Sequence, residues 1–359
     1  MMSGPLHRCW LSLLACAWLA PLLTGGAAVA LADESPSFQG KTVSMIIGYG
    51  AGGSLDNYGR LIAPYLSQHL SGNPTIVVRN MTGADGVVGL NFFYTQAKPD
   101  GLTVTVGGAT QVDPLHFLSA KAVYDVAKLS LVGGNTRAGT AVVIRKDAET
   151  RLHNSGAPPA VMGALAAVRT GMQSTLWGAE YLGWNAKWVL GYPTAKALVL
   201  GLERGEIDMT SIGDVRDVQR LTASGNFDVL SQSGYVRDGA LMVRAEFGGP
   251  LLSDLIGDKI ADPVAQRAFV YWKSIIQVGE FIALPLDTPQ PILDAYRAAY
   301  RATVADPDFK AKLVASGDEF LPQSADELTA LFATLAGTPP AALAYLRDIA
   351  KRQGMSLGE

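Results

Sequence analysis

Residues 41–60 read KTVSMIIGYGAGGSLDNYGR. Val43, Met45, Ile46 and Ile47 form an apolar run closed by glycines, which is how a strand buried on both faces of a parallel sheet reads. The loop Gly48-Tyr49-Gly50-Ala51-Gly52-Gly53 then opens a helical pattern from Ser54 to about Leu70, with Leu55, Leu61, Ile62, Tyr65 and Leu66 on one stripe. Pro64 inside that stripe predicts a kink or an early end. A strand over 75–78, a helix over 87–97 and a strand over 102–106 complete a β-loop-α-β-α-β unit. The opening half is therefore a doubly wound α/β domain.

The middle of the chain repeats this vocabulary. Residues 141–144 read as a strand, 160–168 as helical or partly extended, and 188–190 as a strand ending in Gly191-Tyr192-Pro193. Thr194 caps a helix to about Arg204, and 207–212 is a further strand. The last hundred residues read as mainly helical. Thr288-Pro289 opens a helix with Ile292, Leu293, Tyr296 and Ala299 on one face. Ser324-Ala325-Asp326-Glu327 is a capping box for another.

Composition narrows the function classes. With 48% hydrophobic residues and a net charge of −3, the chain of 359 residues is neither disordered nor fitted to nucleic acid. Residues 1–32 have a basic start, an apolar stretch and two overlapping A-x-A sites ending at Ala30 and Ala32. They predict a secretory signal peptide cleaved near Ala32, in preference to a membrane anchor. Cys9 and Cys16 both lie in it, so the mature chain has no disulfide, thiolate or cysteine metal chemistry. His69, His116 and His153 are far apart and show no ligand spacing, so no metal site is expected. No G-x-S-x-G or other nucleophile pattern marks a catalytic residue.

The glycine loop admits two functional readings and a bland one. It satisfies G-x-G-x-x-G, and Arg79 at the end of the next strand could receive a 2′-phosphate, which makes an exported NADP-dependent oxidoreductase the rival hypothesis. The more general chemistry is anion binding by glycine-loop amides and a helix N-terminus, which suits a carboxylate as well as a phosphate. The bland reading is a plain tight turn. Asp56 either orders water or a ligand amine, or is a first-turn carboxylate favoured by the helix dipole. Tyr49, Trp177 and Tyr192 either line a cleft or pack at its edges, and Trp184 with Trp188 reads as core.

Four stretches together carry a resemblance: IIGYGAGGSLDNYGR (46–60), RNMTGADGVVGLNFFYTQAKPDG (79–101), GYPTAKALVLGLERGEIDM (191–209) and residues 281–317 with Asp287-Thr288-Pro289 and Asp306-Pro307. In order and spacing they resemble the Bug-type extracytoplasmic solute receptors of tripartite tricarboxylate transporters. The resemblance implies an α/β, two-lobed periplasmic binding protein-like fold with a ligand cleft between lobes, and no enzymatic activity or cofactor. It implies a small organic acid as ligand, permease subunits of a tripartite transporter as partners, a monomer, and the periplasm as location. A sensor role in place of transport remains open.

Lobe 1 would comprise 38–138 plus 236–359, and lobe 2 would comprise 139–235, with hinges near 136–140 and 231–237 and the C-terminal helices packed on lobe 1. By position, lobe 1 would hold the ligand through Gly52, Gly53, Ser54 and Asp56, with Thr110 and Gln111 after the third strand. Lobe 2 would add Ser174, Thr175, Tyr192 and Thr194. The chain departs from the family at Gly48, where a proline is usual, at Asp113-Pro114 in place of Asn-Pro, at Tyr192-Pro193-Thr194 in place of Tyr-Lys-Gly, and over 247–277.

Overall fold

The apolar run that opens the sequence argument becomes strand β1 (Thr42–Ile47), with Val43, Met45, Ile46 and Ile47 all buried. The structure, a computed structural model, describes residues 36–117, 122–136, 139–165, 170–237, 240–315 and 321–355, so the expected leader over 1–32 lies outside it. After β1 come α1 (Ser54–His69), β2 (Thr75–Asn80), α2 (Val87–Gln96), β3 (Thr103–Gly108), two single-turn helices α3 (Ala109–Val112) and α4 (Pro114–Phe117), and β4 (Ser130–Thr136). A second set follows: β5 (Ala141–Arg145), α5 (Lys146–Leu152), β6 (Ala160–Ala164), α6 (Thr170–Leu182), β7 (Ala186–Leu190), α7 (Ala195–Arg204), β8 (Met209–Ile212), α8 (Val215–Ala223) and β9 (Phe227–Gln232). The chain then forms a small hairpin, β10 (Tyr235–Arg237) with β11 (Ala240–Met242), and helices α9 (Leu252–Ile256) and α10 (Pro263–Ile275). It closes with β12 (Val278–Leu284), α11 (Gln290–Ala305), α12 (Pro307–Ala315), β13 (Pro322–Ser324), α13 (Ala325–Ala336) and α14 (Pro340–Arg352).

Two sheets result, of order β13-β4-β12-β3-β1-β2 and β7-β6-β8-β5-β9. In the first, β1 is parallel to both β2 and β3, while β12 runs antiparallel between β3 and β4. In the second, β6 is parallel to β7 and β8, and β5 is antiparallel to β8 and β9. The chain passes from the first sheet to the second between β4 and β5, and returns to it through β12.

The structure departs from the sequence reading at three points. Pro64 does not end α1 early: the helix continues to His69. Its ring lies on the exposed face, and so does Arg60, whose carbonyl lost its partner to the proline; water can serve that carbonyl. Residues 160–164, where a helical and a partly extended reading stood open, are a strand rather than a helix, since β6 is paired on both sides and takes its conformation from the sheet. Finally, β4 and β12 lie inside the first sheet, where no strand was expected.

Three apolar clusters hold the fold. One fills the space between the first sheet and α1, α11 and α12, with Tyr58, Ile62, Leu66, Tyr296 and Phe309 buried against Met45, Ile47, Val106 and Ile282. Gly59 packs closely there: a Cβ at that point of α1 would lie 2.4 Å from Cδ1 of Ile47, the tip of a side chain that would have to shift. A smaller cluster joins β5 and β8 to α7 and α8 through Val143, Leu198, Leu202 and Val218. The largest runs across the opposite faces of both sheets and includes α2, α6, α10, α13 and α14. At its centre Trp177 of α6 meets Phe269 of α10 edge-on at 5.0 Å and Tyr345 of α14 at 6.2 Å between ring centroids. The C-terminal helices thus pack on the first sheet, as α11 to α13 do, and also on α6 of the second, as α10 and α14 do. Burying such rings contributes about 1.5–3 kcal/mol each.

Candidate functional site

In the first sheet β1 leads to β2 on one side and β3 on the other, which makes the carboxyl ends of β1 and β3 a topological switch point where open α/β sheets bind ligands. The β1–α1 loop lies there. Gly52 has φ +80°, a conformation that favours glycine, and Gly53 N–H donates to Gly50 O at 3.3 Å to close a turn. Gly48 is fixed by crowding: a Cβ there would stand 2.7 Å from both Cα and O of Gly86. The family's proline has no room at this position.

Gly53 is the N-cap of α1 and offers no side chain to it. The first main-chain helical bond runs from Asn57 N–H to Gly53 O, so the amides of Ser54, Leu55 and Asp56 precede the helical ladder. Asp56 is 1% exposed and binds inward. Its Oδ2 accepts from Gly52 N–H and from Arg60 Nε, both at 2.8 Å, and its Oδ1 accepts from Asn80 Nδ2 at 2.8 Å. The Arg60 hydrogen bond, with further help from Gly52 and Asn80 against desolvation, holds the Asp56 carboxyl down at about 2. Asp56 therefore ties the loop together. Asn80 Nδ2 also donates to Tyr49 O, and Asn80 Oδ1 accepts from Arg60. That strand end, where a dinucleotide fold reads the ribose, is thus engaged within the protein. The oxidoreductase reading finds no support here.

A cavity of about 170 Å3 opens beside α1. The loop side contributes Tyr49, Gly53, Ser54 and Leu55; the end of β3 contributes Gly108, Ala109 and Thr110; β12 contributes Gly279 and Glu280. These segments meet because β12 pairs antiparallel with β3, with Glu280 opposite Gly108. Glu280 is half-buried, with Oε2 3.4 Å from Asn135 Nδ2. Tyr49 is oriented by its hydroxyl, which donates to Asp85 O at 2.7 Å.

Of the expected ligand contacts in this sheet, Gly53, Ser54 and Thr110 line the cavity, while Gly52 and Asp56 stand behind it. Gln111 is fully buried and organises the wall. Its Oε1 accepts from Gly108 N–H and its Nε2 donates to Gly86 O, each at 3.0 Å. The four residues expected from the second sheet do not line this cavity. Ser174 and Thr175 are buried in α6, and among the described residues the Thr175 hydroxyl has no hydrogen-bond partner. Thr194 is exposed and caps α7 by accepting from Ala197 N–H at 3.1 Å, while Tyr192 lies half-buried against Gly201 of that helix. Arg137, which the sequence offers either as a partner for a second ligand carboxylate or as a surface residue at the expected hinge, falls outside the described residues. The sequence reading missed Gly279 and Glu280, and the apolar run Phe281-Ile282-Ala283-Leu284 beside them was the signal for their strand.

No protein-family model and no curated protein matches the sequence. Solved structures do match the fold. A TctC solute-binding protein from Polaromonas superposes with a TM-score of 0.64 at 17% identity, covering 88% of this chain and 100% of that one. The periplasmic binding protein BugD matches with a TM-score of 0.56 at 19% identity, over 89% of this chain and 99% of that one. MatC from Rhodopseudomonas palustris, with bound malate, gives 0.52 at 20% identity over 87% and 99%. A second R. palustris protein, with adipate, gives 0.56 at 18% identity over 88% and 98%. The fold is that of periplasmic binding proteins.

Proposed function

We propose that this chain is a solute receptor of the tripartite tricarboxylate type, exported to the periplasm, which captures a small organic carboxylate without chemically changing it. The observation that carries the reading is the N-terminus of α1, uncapped by any side chain and opening onto a cavity at the switch point between the parallel strands β1 and β3 of a mixed sheet. Amides so placed offer a partial positive charge and donors of fixed direction, which suit a carboxylate. The fold it shares with proteins holding malate and adipate supports the same reading.

In this reading residues 38–138 with 236–359 form one lobe and 139–235 the other. Ligand contacts come from Gly53, Ser54 and Thr110 in the first lobe, with Gly52 and Asp56 behind them. Ser174, Thr175, Tyr192 and Thr194 would join from the second lobe on closure. The closed form would present a different face to permease subunits, so that the ligand shifts a two-state equilibrium.

The test is a thermal-shift screen of the monomeric chain from Asp33 onward against mono-, di- and aromatic carboxylates, with NADPH included. Binding to the native state raises the melting temperature by mass action, so one acid class should shift it by several degrees. The variant Gly53→Phe should remove that shift with the fold intact, since a Cβ at Gly53 meets only Gly50 O at 3.4 Å. A response to NADPH alone would reject the receptor reading.

A further inference from the structure

A second cavity, of about 580 Å3 and larger than the one at α1, opens where the chain has just left the second sheet. Strand β10, the end of α10, β13 and α13 line it, and it shares no lining residue with the cavity at α1. Much of the lining is apolar, with Val236, Leu321, Ala330 and Leu331. Two of its described residues carry charge, and one of them is already spent. Glu327 Oε2 accepts from Ser324 N–H and from Ser324 Oγ, both at 2.7 Å, in the capping box of α13, where the helix dipole also favours it.

Arg237 is the other charge. It is exposed, its guanidinium lies 5.4 Å from the ring centre of Tyr235, and among the described residues no carboxylate pairs with it. The same cavity is bordered by an acceptor in need of a donor. Gln323 is 7% exposed, and its Oε1 has no hydrogen-bond partner among the described residues, a costly state for a buried carbonyl. Pairing of β13 with β4 sets Gln323 opposite Gly134 and fixes its main chain, so only the side-chain amide has to turn to meet a donor.

These groups define a ligand. A guanidinium offers a planar fork of donors that fits a carboxylate, the apolar lining favours an apolar body, and Gln323 calls for a hydroxyl or an N–H. We propose that this cavity is a second ligand site for amphipathic monocarboxylates, with the acid on Arg237, the apolar body against Leu321 and Leu331, and a hydroxyl or N–H donated to Gln323. Its place gives an occupant contact with the segments that join the two sheets. Val236 and Arg237 end the stretch 231–237 that was expected to cross between lobes. Gln277 directly precedes β12, which carries Gly279 and Glu280 to the cavity at α1, and its carbonyl accepts from Thr136 Oγ1 at 2.6 Å where β4 ends.

The experiment is calorimetry on the chain from Asp33 onward with three compounds. These are 4-hydroxyphenylacetate, which has all three features, phenylacetate, which lacks the hydroxyl, and tyrosol, which lacks the acid. The first should bind roughly tenfold more tightly than either of the others, and should bind Gly53→Phe as well as it binds the native protein. Arg237→Gln, at an exposed position, should weaken it about tenfold or more. Ala330→Phe, also at an exposed position, should block it by filling the cavity. Gln323→Leu should erase its advantage over phenylacetate. Binding that Gly53→Phe abolishes, and that Arg237→Gln and Ala330→Phe leave intact, belongs to the cavity at α1; it overturns the second site and supports the receptor reading. Absence of 4-hydroxyphenylacetate binding to the native protein overturns the second site alone, since the carboxylate screen decides the receptor reading separately.

Discussion

The hydroxyl of Tyr271 on α10 donates to Oδ1 of Asp113 at 2.5 Å, and both side chains are buried, Asp113 at 3% and Tyr271 at 1% exposure. The same oxygen accepts Leu115 N–H at 2.9 Å. Asp113 ends the segment that starts at the cavity wall with Ala109 and Thr110, so this contact anchors that wall to the C-terminal helices. Burial raises the Asp113 carboxyl from its ordinary 3.8 to about 6, against the opposing pull of Tyr271, Leu115 and the charge of His116. The folded state thus holds this proton more tightly than the unfolded one. Asp113 then makes stability rise as pH falls through 6 and level off below about 3.8.

Asn at position 113 keeps an acceptor for both Tyr271 and Leu115 and never ionises. Asp113→Asn should therefore raise stability at pH 7.5 by on the order of 1–3 kcal/mol, and should flatten the rise between pH 6 and 4. Denaturant titrations of both proteins at pH 4, 5, 6 and 7.5 would measure this. An Asn variant less stable than the native protein at pH 7.5 would mean that the carboxylate charge is itself stabilising.

Asp56 behaves with the opposite sign. Its folded-state value is depressed to about 2, so its stabilisation is complete above 3.8 and is lost as pH falls from there towards 2. Asp56→Asn sets an amide opposite Asn80 Nδ2, donor against donor, and should cost about 1–3 kcal/mol at neutral pH. The gap to the native protein should close between pH 4 and 2. Asn80→Ala, outside the cavity wall, should still weaken carboxylate affinity roughly tenfold by loosening the loop through Tyr49, Asp56 and Arg60. Unchanged affinity in Asn80→Ala would show that the loop holds its shape without this tie.

The first sheet was legible where a strand is a largely apolar run followed by a glycine turn, as at Val43 to Ile47 with Ser44 alone polar. β4 was not, because Gly133 and Gly134 interrupt its pattern. Both are there for packing: a Cβ at Gly133 would fall 2.3 Å from the Tyr300 ring, and one at Gly134 would fall 2.4 Å from Glu280 O. Gly53 and Ser54 belong to a local motif, the glycine loop before α1, whereas Thr110 came only by position from the resemblance. Glu280 could not be found from either, since only the pairing of β12 with β3 brings it beside them. Gln111 and Asp56 brace the loop and the cavity wall, and a polar residue beside a glycine loop reads the same in sequence whether it faces a cavity or braces the loop.

Trp177 stands for the residues whose functional reading packing replaces. It is fully buried, stacked on Tyr181 at 5.7 Å and edge-on to Phe269, far inside the cluster that spans both sheets. Trp177→Ala should destabilise the protein by about 3–5 kcal/mol. Ligand preference in the surviving folded fraction should not change. A shift in selectivity between aromatic and aliphatic acids would return Trp177 to the binding site.

Pro64 offers a test of the fold that is independent of any ligand. It interrupts the hydrogen-bond ladder of α1 on the solvent side, yet the helix runs on for five residues to His69. Alanine there restores an N–H to the ladder and removes the ring from the carbonyl of Arg60, a gain partly offset by a more flexible unfolded chain. Pro64→Ala should therefore stabilise the protein by about 1–2 kcal/mol with carboxylate affinity unchanged. Loss of stability would mean that α1 is bent at Pro64 in solution and that its inner face, from Tyr58 to Leu66, packs against the sheet only in that bent form.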